Sequence, residues 1–301
     1  MKRFAQQLVA KTKTEEFFIQ LRKRVNFIRR FIPVSIRHRF TSIGKFIPHS
    51  TAYPSDDSYS LTRDNTHFII NRSDYVQWRI FYGVRDNALA EAKRRLEDGA
   101  VILDIGANFG AFSLRLARYA LENKFKDVQV HAFEPNPSVA TNFKNNLHLN
   151  PDLLPVVQLH EVGLGSQSQK RSFQFENSNT GSGRVTASEG NGQVSIEIRT
   201  LDDFVEQLNP KKITFIKLIV EGFEPEVLKG GWNTIVKYRP PLFLEVTPDW
   251  WKEYDYNIDE VLEKLFKLGY TFTIEHHNEM LSYEAKKYAD RVQFNLMGIV
   301  C

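Results

Sequence analysis

The run Val101-Ile-Leu-Asp104-Ile-Gly106-Ala-Asn108-Phe-Gly110-Ala-Phe-Ser-Leu114 constrains the fold more than any other stretch of the 301 residues. An apolar strand ends in an acid, small residues turn the chain, and a helix begins. In an open parallel sheet this is where ligands sit, at the carboxyl ends of the strands. Glycine in such a turn lets the main chain come into contact with a ligand and adopt positive φ.

The chain around this run alternates strands with helices. A short strand at 66–71 and a helix at 86–96 lead into the first core element. Further strands are expected at Ala100–Leu103, Val128–Phe133, Val156–Val162, Ile213–Val220, Leu242–Val246, Tyr270–Glu275 and Val292–Val300. Helices are expected at 112–122, 138–148, 201–208, 224–229 and 258–268, the last closing on Gly269. Near-continuous apolar strands separated by helices predict an α/β fold, a doubly wound parallel sheet with helices on both faces. Ser166–Val194 is polar and rich in Gly, Ser and Asn, and reads as a hairpin and a long loop. Thr200 reads as a helix N-cap with Asp203 in the first turn.

Glycine spacing separates two cofactor classes. A dinucleotide fold needs G-x-G-x-x-G, where a helix N-terminus meets a pyrophosphate. Here the pattern is Gly106-x-Asn108-x-Gly110 with Asp104 two residues upstream, which disfavours a nicotinamide oxidoreductase and suits a cationic ligand bearing an amino acid. The second signal is His131-Ala-Phe133-Glu134-Pro135-Asn136. Glu134 stands 28 residues after Gly106, at the end of the next strand, where an acid can accept hydrogen bonds from both vicinal hydroxyls of a ribose.

These pieces carry a resemblance. DIGANFGAFSL (104–114), AFEPNP (132–137), NNLHLN (145–150), RTLDDF (199–204), IKLIVEGFEPEVLKG (216–230) and LFLEV (242–246) resemble, in order, the motifs of the FkbM family of class I S-adenosylmethionine-dependent methyltransferases. The resemblance covers about residues 75–300 and implies a Rossmann-like class I sheet, S-adenosyl-L-methionine as cofactor, and O-methylation of a sugar or glycan hydroxyl or a related natural product. Carried over residue by residue, the turn at Gly106, Ala107, Asn108 and Gly110 would approach the methionine and ribose of the cofactor. Asp104 would orient the loop and the amino group. Glu134 would take the ribose hydroxyls, and Glu161 and Gly163 would lie near the adenine.

One departure stands out. The family's I-K-I-D-V-E-G reads here Ile216-Lys217-Leu218-Ile219-Val220-Glu221-Gly222, with Ile219 in place of the acid. Isoleucine cannot accept a proton or hold an ammonium. Two function classes follow: an active O-methyltransferase in which another acid serves the acceptor, or a catalytically impaired protein on the same fold that binds cofactor or a partner. Methyl transfer from a sulfonium is an in-line displacement helped by a base at the acceptor hydroxyl. Glu221 and Glu245, each near a strand's carboxyl end, are the candidate bases; the plainer reading makes Glu221 a helix cap and Glu245 structural.

Trp250, Trp251, Tyr254 and Tyr256 either stack on a sugar face or cover the core. His276 and His277 are adjacent on a strand, so they point to opposite faces and do not share one ion; no metal site is expected. The single cysteine, Cys301, cannot make an internal disulfide.

Charge is unevenly placed. Residues 1–50 hold twelve Lys and Arg against Glu15 and Glu16, whereas the remaining 251 residues hold 28 bases and 34 acids. The body therefore lacks the basic surface a nucleic-acid binder needs. Phe17, Leu21 and Ile28 fall at helical spacing among the N-terminal bases. That extension, read as 1–60 before a methyltransferase domain at 61–301, suits an anionic membrane surface, a partner's acidic face, or packing on its own domain. With no signal-peptide core and no apolar run of 18 residues, the expected compartment is cytoplasmic, with peripheral membrane contact as the further option.

Overall fold

The computed structural model describes residues 48–176, 179–186, 194–276, 279–283 and 292–300. The basic segment through residue 47, and His277, lie outside the described residues. Of the described residues, 48–61, 68–85 and 179 belong to a smaller compact unit and the rest to a larger one.

The smaller unit contains α1 (Tyr75–Tyr82), capped by the Asp74 side chain, which accepts from Gln77 N at 2.9 Å. Arg72 bonds Asp57 and lies 4.4 and 4.5 Å from the ring centroids of Tyr53 and Tyr59. A guanidinium over aromatic faces gives this small unit a cation–π centre beside buried Phe68, Ile70, Trp78 and Phe81. Strands β1 (Tyr59–Arg63) and β2 (Thr66–Ile70) join through Asp64 and Asn65, both in the left-handed region that a two-residue hairpin turn requires.

The larger unit opens with α2 (Asn87–Arg94) and is organised by strands β3 (Val101–Ile105), β4 (Gln129–Phe133) and β5 (Val157–His160). Next come β6 (Gly163–Leu164), β7 (Gln169–Glu176), β8 (Asn179–Thr186) and β9 (Val194–Arg199). The remaining strands are β10 (Phe215–Leu218), β11 (Leu242–Val246), β12 (Tyr270–His276), β13 (Glu279–Ser282) and β14 (Phe294–Val300). Helices α3 (Ala111–Glu122), α4 (Pro137–His148), α5 (Leu201–Leu208), α6 (Glu224–Gly230), α7 (Trp232–Tyr238), α8 (Pro248–Lys252) and α9 (Ile258–Lys267) connect them.

Among the described residues, eight strands form one sheet in the order β13-β12-β14-β11-β10-β3-β4-β5. The pairs from β11 through β5 are parallel, and β14 runs antiparallel to both β11 and β12. Strands β3 and β11 are buried at all five positions, as a sheet covered on both faces demands. Register puts Asp104 beside Lys217 and Lys217 beside Phe243, so these side chains share one face. There α3 packs, Phe112 stacking on Phe215 at 6.3 Å. On the other face Leu103, Ile105, Ile216 and Leu218 join a core with Leu201, Val205, Val227 and Ile235 from α5, α6 and α7.

The segment expected as a hairpin and long loop is more ordered than its composition suggests. Strands β7 and β8 belong with β6 and β9 to a second sheet, ordered β6-β9-β7-β8, and Phe173, Ile196 and Ile198 enter the core. Residues 187–193 lie outside the described residues. Helix α6 reaches this sheet at Gly230, where any Cβ would overlap the Gly165 carbonyl oxygen.

Thr200 caps α5 as expected, its hydroxyl accepting from Asp203 N at 3.1 Å. The neighbouring Asp202 does a job that local sequence does not show. Its carboxylate accepts from Asn233 N at 3.1 Å and Thr234 N at 2.8 Å, capping α7, whose own N-cap, Gly231, has no side chain. No helix among the described residues is long and apolar enough to cross a membrane. Asp202→Ala is expected to cost about 1 kcal/mol of stability; an unchanged denaturant midpoint would show that α7 does not need this cap.

Candidate functional site

The carboxyl ends of β3, β4, β10 and β11 meet at one edge of the sheet, and the sequence puts its chemistry there. The turn after β3 is pinned from three sides. From β4, the Phe133 carbonyl accepts from Gly106 N at 3.1 Å and Ala107 N at 2.9 Å. Ile219 N donates to Ile105 O at 3.1 Å, and the Ile219 carbonyl packs so tightly on Gly106, at φ +81°, that a Cβ there would overlap it. Lys217 Nζ donates to Gly106 O at 2.9 Å and to Asp104 Oδ1 at 2.7 Å.

Asp104 is fully buried, and its second oxygen accepts from Ser113 Oγ at 2.6 Å. Its carboxylate is thus engaged within the protein by a strand and a helix. Each of its oxygens accepts a hydrogen bond from the chain itself. Lys217 and Ser113 were not singled out from the sequence, since a lysine in an apolar strand has no local pattern to declare a partner 113 residues away.

Beyond Gly106 the chain stays in contact with β4. Asn108, in the left-handed region at φ +51°, donates its N–H to Glu134 Oε2 at 2.9 Å and accepts from Phe109 N at its own Oδ1. Asn136 N donates to Glu134 Oε1 at 2.9 Å. Gly110, at φ +90°, starts α3 with no side-chain cap. Asn146, from the NNLHLN run, donates to the Phe109 carbonyl and braces the turn from α4. So Asp104, Gly106, Ala107, Asn108, Gly110 and Glu134 come together as one unit. Glu161 stands just past β5, half-exposed and paired with Lys144 at 2.6 Å, while Gly163 lies in β6 of the second sheet.

Burial dominates the electrostatics of Glu134. It pushes the carboxyl up to about 7, against the lowering effect of the two backbone N–H donors and of Lys217. Each Glu134 oxygen takes one of these N–H bonds, and a carboxylate oxygen has acceptor capacity for a second. A ligand presenting two hydroxyls fits that remaining capacity, and the close-packed glycine turn fits a ligand lying against bare main chain. These residues therefore suit a ribose-bearing cofactor.

The turn after β10 is built around a different acid. Glu224 is fully buried; its Oε1 accepts from Val220 N at 2.9 Å and Gly222 N at 3.3 Å, and its Oε2 accepts from Trp251 Nε1 at 3.0 Å. Glu221 stands in the left-handed region at φ +56°, part-exposed, and Glu224 rather than Glu221 closes this turn. Glu245 lies buried near the end of β11, in register with Asn295 of β14. Trp251 belongs to the core, whereas Trp250 is part-exposed and packs against Gly222. Tyr254 and Tyr256 pack at the core's margin, donating to the Val185 carbonyl and to Glu226.

Strand order and site together define a class I methyltransferase fold: parallel strands with an antiparallel β14 inserted, and a glycine turn facing an acid at the next strand's end. The Methyltransferase FkbM domain matches residues 104–272, more than half of the chain, and the chain belongs to that family. Among its relatives, Methyltransferase 1 of Beauveria bassiana is 28% identical over 153 residues, 44% of this chain and 59% of that protein. The 2-O-methyltransferase NoeI of Sinorhizobium fredii is 30% identical over 46% of this chain and 60% of that protein. The hexuronic acid methyltransferase AglP of Haloferax volcanii is 31% identical over 46% and 53%. The matches thus span about three fifths or less of these relatives. A crystal structure of an FkbM methyltransferase from Methylobacillus flagellatus aligns at 21% identity and a TM-score of 0.43, over 67% of this chain and 44% of that one.

Two measurements test this account. Lys217→Met leaves Asp104 charged and buried, and is expected to cost about 3–5 kcal/mol, part of it recovered by adding Asp104→Asn; a loss of the size of a surface substitution would contradict it. Glu134 protonates more readily folded than unfolded, so its contribution to ligand-free stability is present below about pH 4.5 and is lost as pH rises to about 7. Melting profiles across pH 4–8 should carry this fall in the wild type and lack it in Glu134→Gln; parallel profiles would refute it.

Proposed function

We propose that this protein is an S-adenosylmethionine-dependent O-methyltransferase acting on a hydroxyl of a sugar or glycan. The observation that carries the reading is the buried Glu134 carboxylate, held by the N–H groups of Asn108 and Asn136 beside the glycine turn. The family match and relatives named for 2-O-methylation and for a hexuronic acid supply the reaction and the acceptor class.

When bound, the cofactor supplies an electrophilic methyl group. The chain's own residues do the rest. Gly106 to Gly110 offer main chain for close approach, and Glu134 accepts from the ribose hydroxyls. Glu161 and Gly163 remain the residues proposed for the adenine end. Holding acceptor and methyl group in line can supply much of the rate of such a displacement. A base at the acceptor oxygen adds about 10²–10⁴-fold by taking the hydroxyl proton, and Glu245 and Glu221 are the carboxylates proposed for it.

Ile219 does not argue against activity. What the site uses at this position is main chain: the N–H bonded to Ile105 and the carbonyl packed on Gly106. An acid's side chain is dispensable for building that turn.

Glu134→Ala should weaken binding of the cofactor by about 1.5–3 kcal/mol through loss of charge-assisted hydrogen bonds; an unchanged dissociation constant in calorimetry would remove the ribose role. Methyl transfer from labelled S-adenosylmethionine to a panel of sugars and lipid-linked glycans should be seen with wild type. Transfer by Ile219→Asp alone, with wild type silent, would instead mean that the chemistry has been lost from an intact cofactor site.

A further inference from the structure

We propose that Asn136 binds the cofactor directly, its side-chain amide donating a hydrogen bond to an acceptor atom of the adenosine moiety. The inference rests on the S-adenosylmethionine reading above and adds a recognition residue to it.

Asn136 is held between Pro135 and Pro137. The second of these is the first residue of α4, and its ring restricts Asn136 to extended backbone, observed at φ −75° and ψ 115°. In that conformation Asn136 is the N-cap: its Oδ1 accepts from Ser138 N at 3.1 Å. Its main-chain N–H is given to Glu134 Oε1 at 2.9 Å. The cap settles which end of the amide is oxygen, so Nδ2 and its two protons occupy the other position.

Asn136 is 2% exposed, and Nδ2 has no hydrogen-bond partner among the described residues. Native proteins rarely leave a buried amide donor unsatisfied, and such a group calls for an explanation. Capping alone does not explain the choice of asparagine. Serine, threonine or aspartate cap helices comparably. Aspartate would add a second negative charge two residues from the buried Glu134. Serine would cap through its oxygen and offer no amide. Asparagine both caps and keeps donors in hand, and it does so while bonded to the carboxylate assigned to the ribose. The group it serves is therefore an acceptor on the same nucleoside, either a ring nitrogen of adenine or a ribose oxygen.

The test is calorimetric titration of S-adenosylhomocysteine into wild type, Asn136→Ser and Asn136→Asp, with the melting temperature of each ligand-free protein measured alongside. Asn136→Ser keeps a cap, so its ligand-free melting temperature should not fall, while its dissociation constant should rise about tenfold, the loss of one hydrogen bond. Asn136→Asp, with an acceptor in place of the donor, should bind more weakly still. Analogues of the ligand lacking one acceptor each (1-deaza, 3-deaza, 7-deaza and 2′-deoxy) then separate base from ribose: the analogue whose affinity is unchanged by Asn136→Ser names the atom contacted.

Wild-type affinity in Asn136→Ser would overturn the inference and leave the cofactor reading intact. So would an equal loss for every analogue together with a lower melting temperature, since the residue would then be acting on the shape of the site. Absence of binding by wild type would overturn the cofactor reading and the inference with it.

Discussion

The buried ion pair between Asp104 and Lys217 is the interaction on which the rest of the site depends. Asp104 ends the first core strand and Lys217 lies on the strand beside it, so the pair links β3 to β10 through side chains as well as through the ladder. Ser113 takes the second carboxylate oxygen and adds the first turn of α3. The remaining reach of the lysine goes to the Gly106 carbonyl, in the turn after β3. Two charges removed from water are costly, and their attraction compensates only when the other hydrogen-bonding sites are filled. Here Ser113 gives the carboxylate, and Gly106 the ammonium, one further hydrogen bond. Strand, helix and turn are thereby held in one arrangement.

Two further buried acids divide the remaining work at this edge. Both have carboxyls raised by burial, and both accept main-chain N–H groups. Glu224 accepts three hydrogen bonds, from Val220 N, Gly222 N and Trp251 Nε1, and ties the turn after β10 to α8. Glu134 takes one N–H on each oxygen and keeps acceptor capacity.

Much of this was legible in the chain. The strands VILDI and LFLEV could be read because a parallel sheet buried on both faces needs continuous apolar runs, and the glycine turn because its spacing excludes a pyrophosphate site. Glu134 followed from its place at the next strand's end. What escaped the reading depends on partners distant in sequence. Lys217 finds Asp104 across adjacent strands. The cap of α7 comes from Asp202, 31 residues before Asn233. Glu224 holds a turn on one side and a tryptophan on the other. The second sheet escaped the reading for a different reason: among the described side chains few apolar residues, Phe173, Ile196 and Ile198 among them, mark its buried face. Asp104, read as orienting the loop and a ligand's amino group, also bonds Lys217 and Ser113, partners that no local signature declares.

The turn at Ile219 has a consequence for how such a site changes over generations. Its shape is set by an N–H, a carbonyl and a carboxylate three positions after Glu221, none of which belongs to the side chain at 219. A codon change there leaves those main-chain contacts standing and alters only the side chain presented at this edge of the sheet. Position 219 is thus free to vary in side chain without the turn first losing the contacts that shape it.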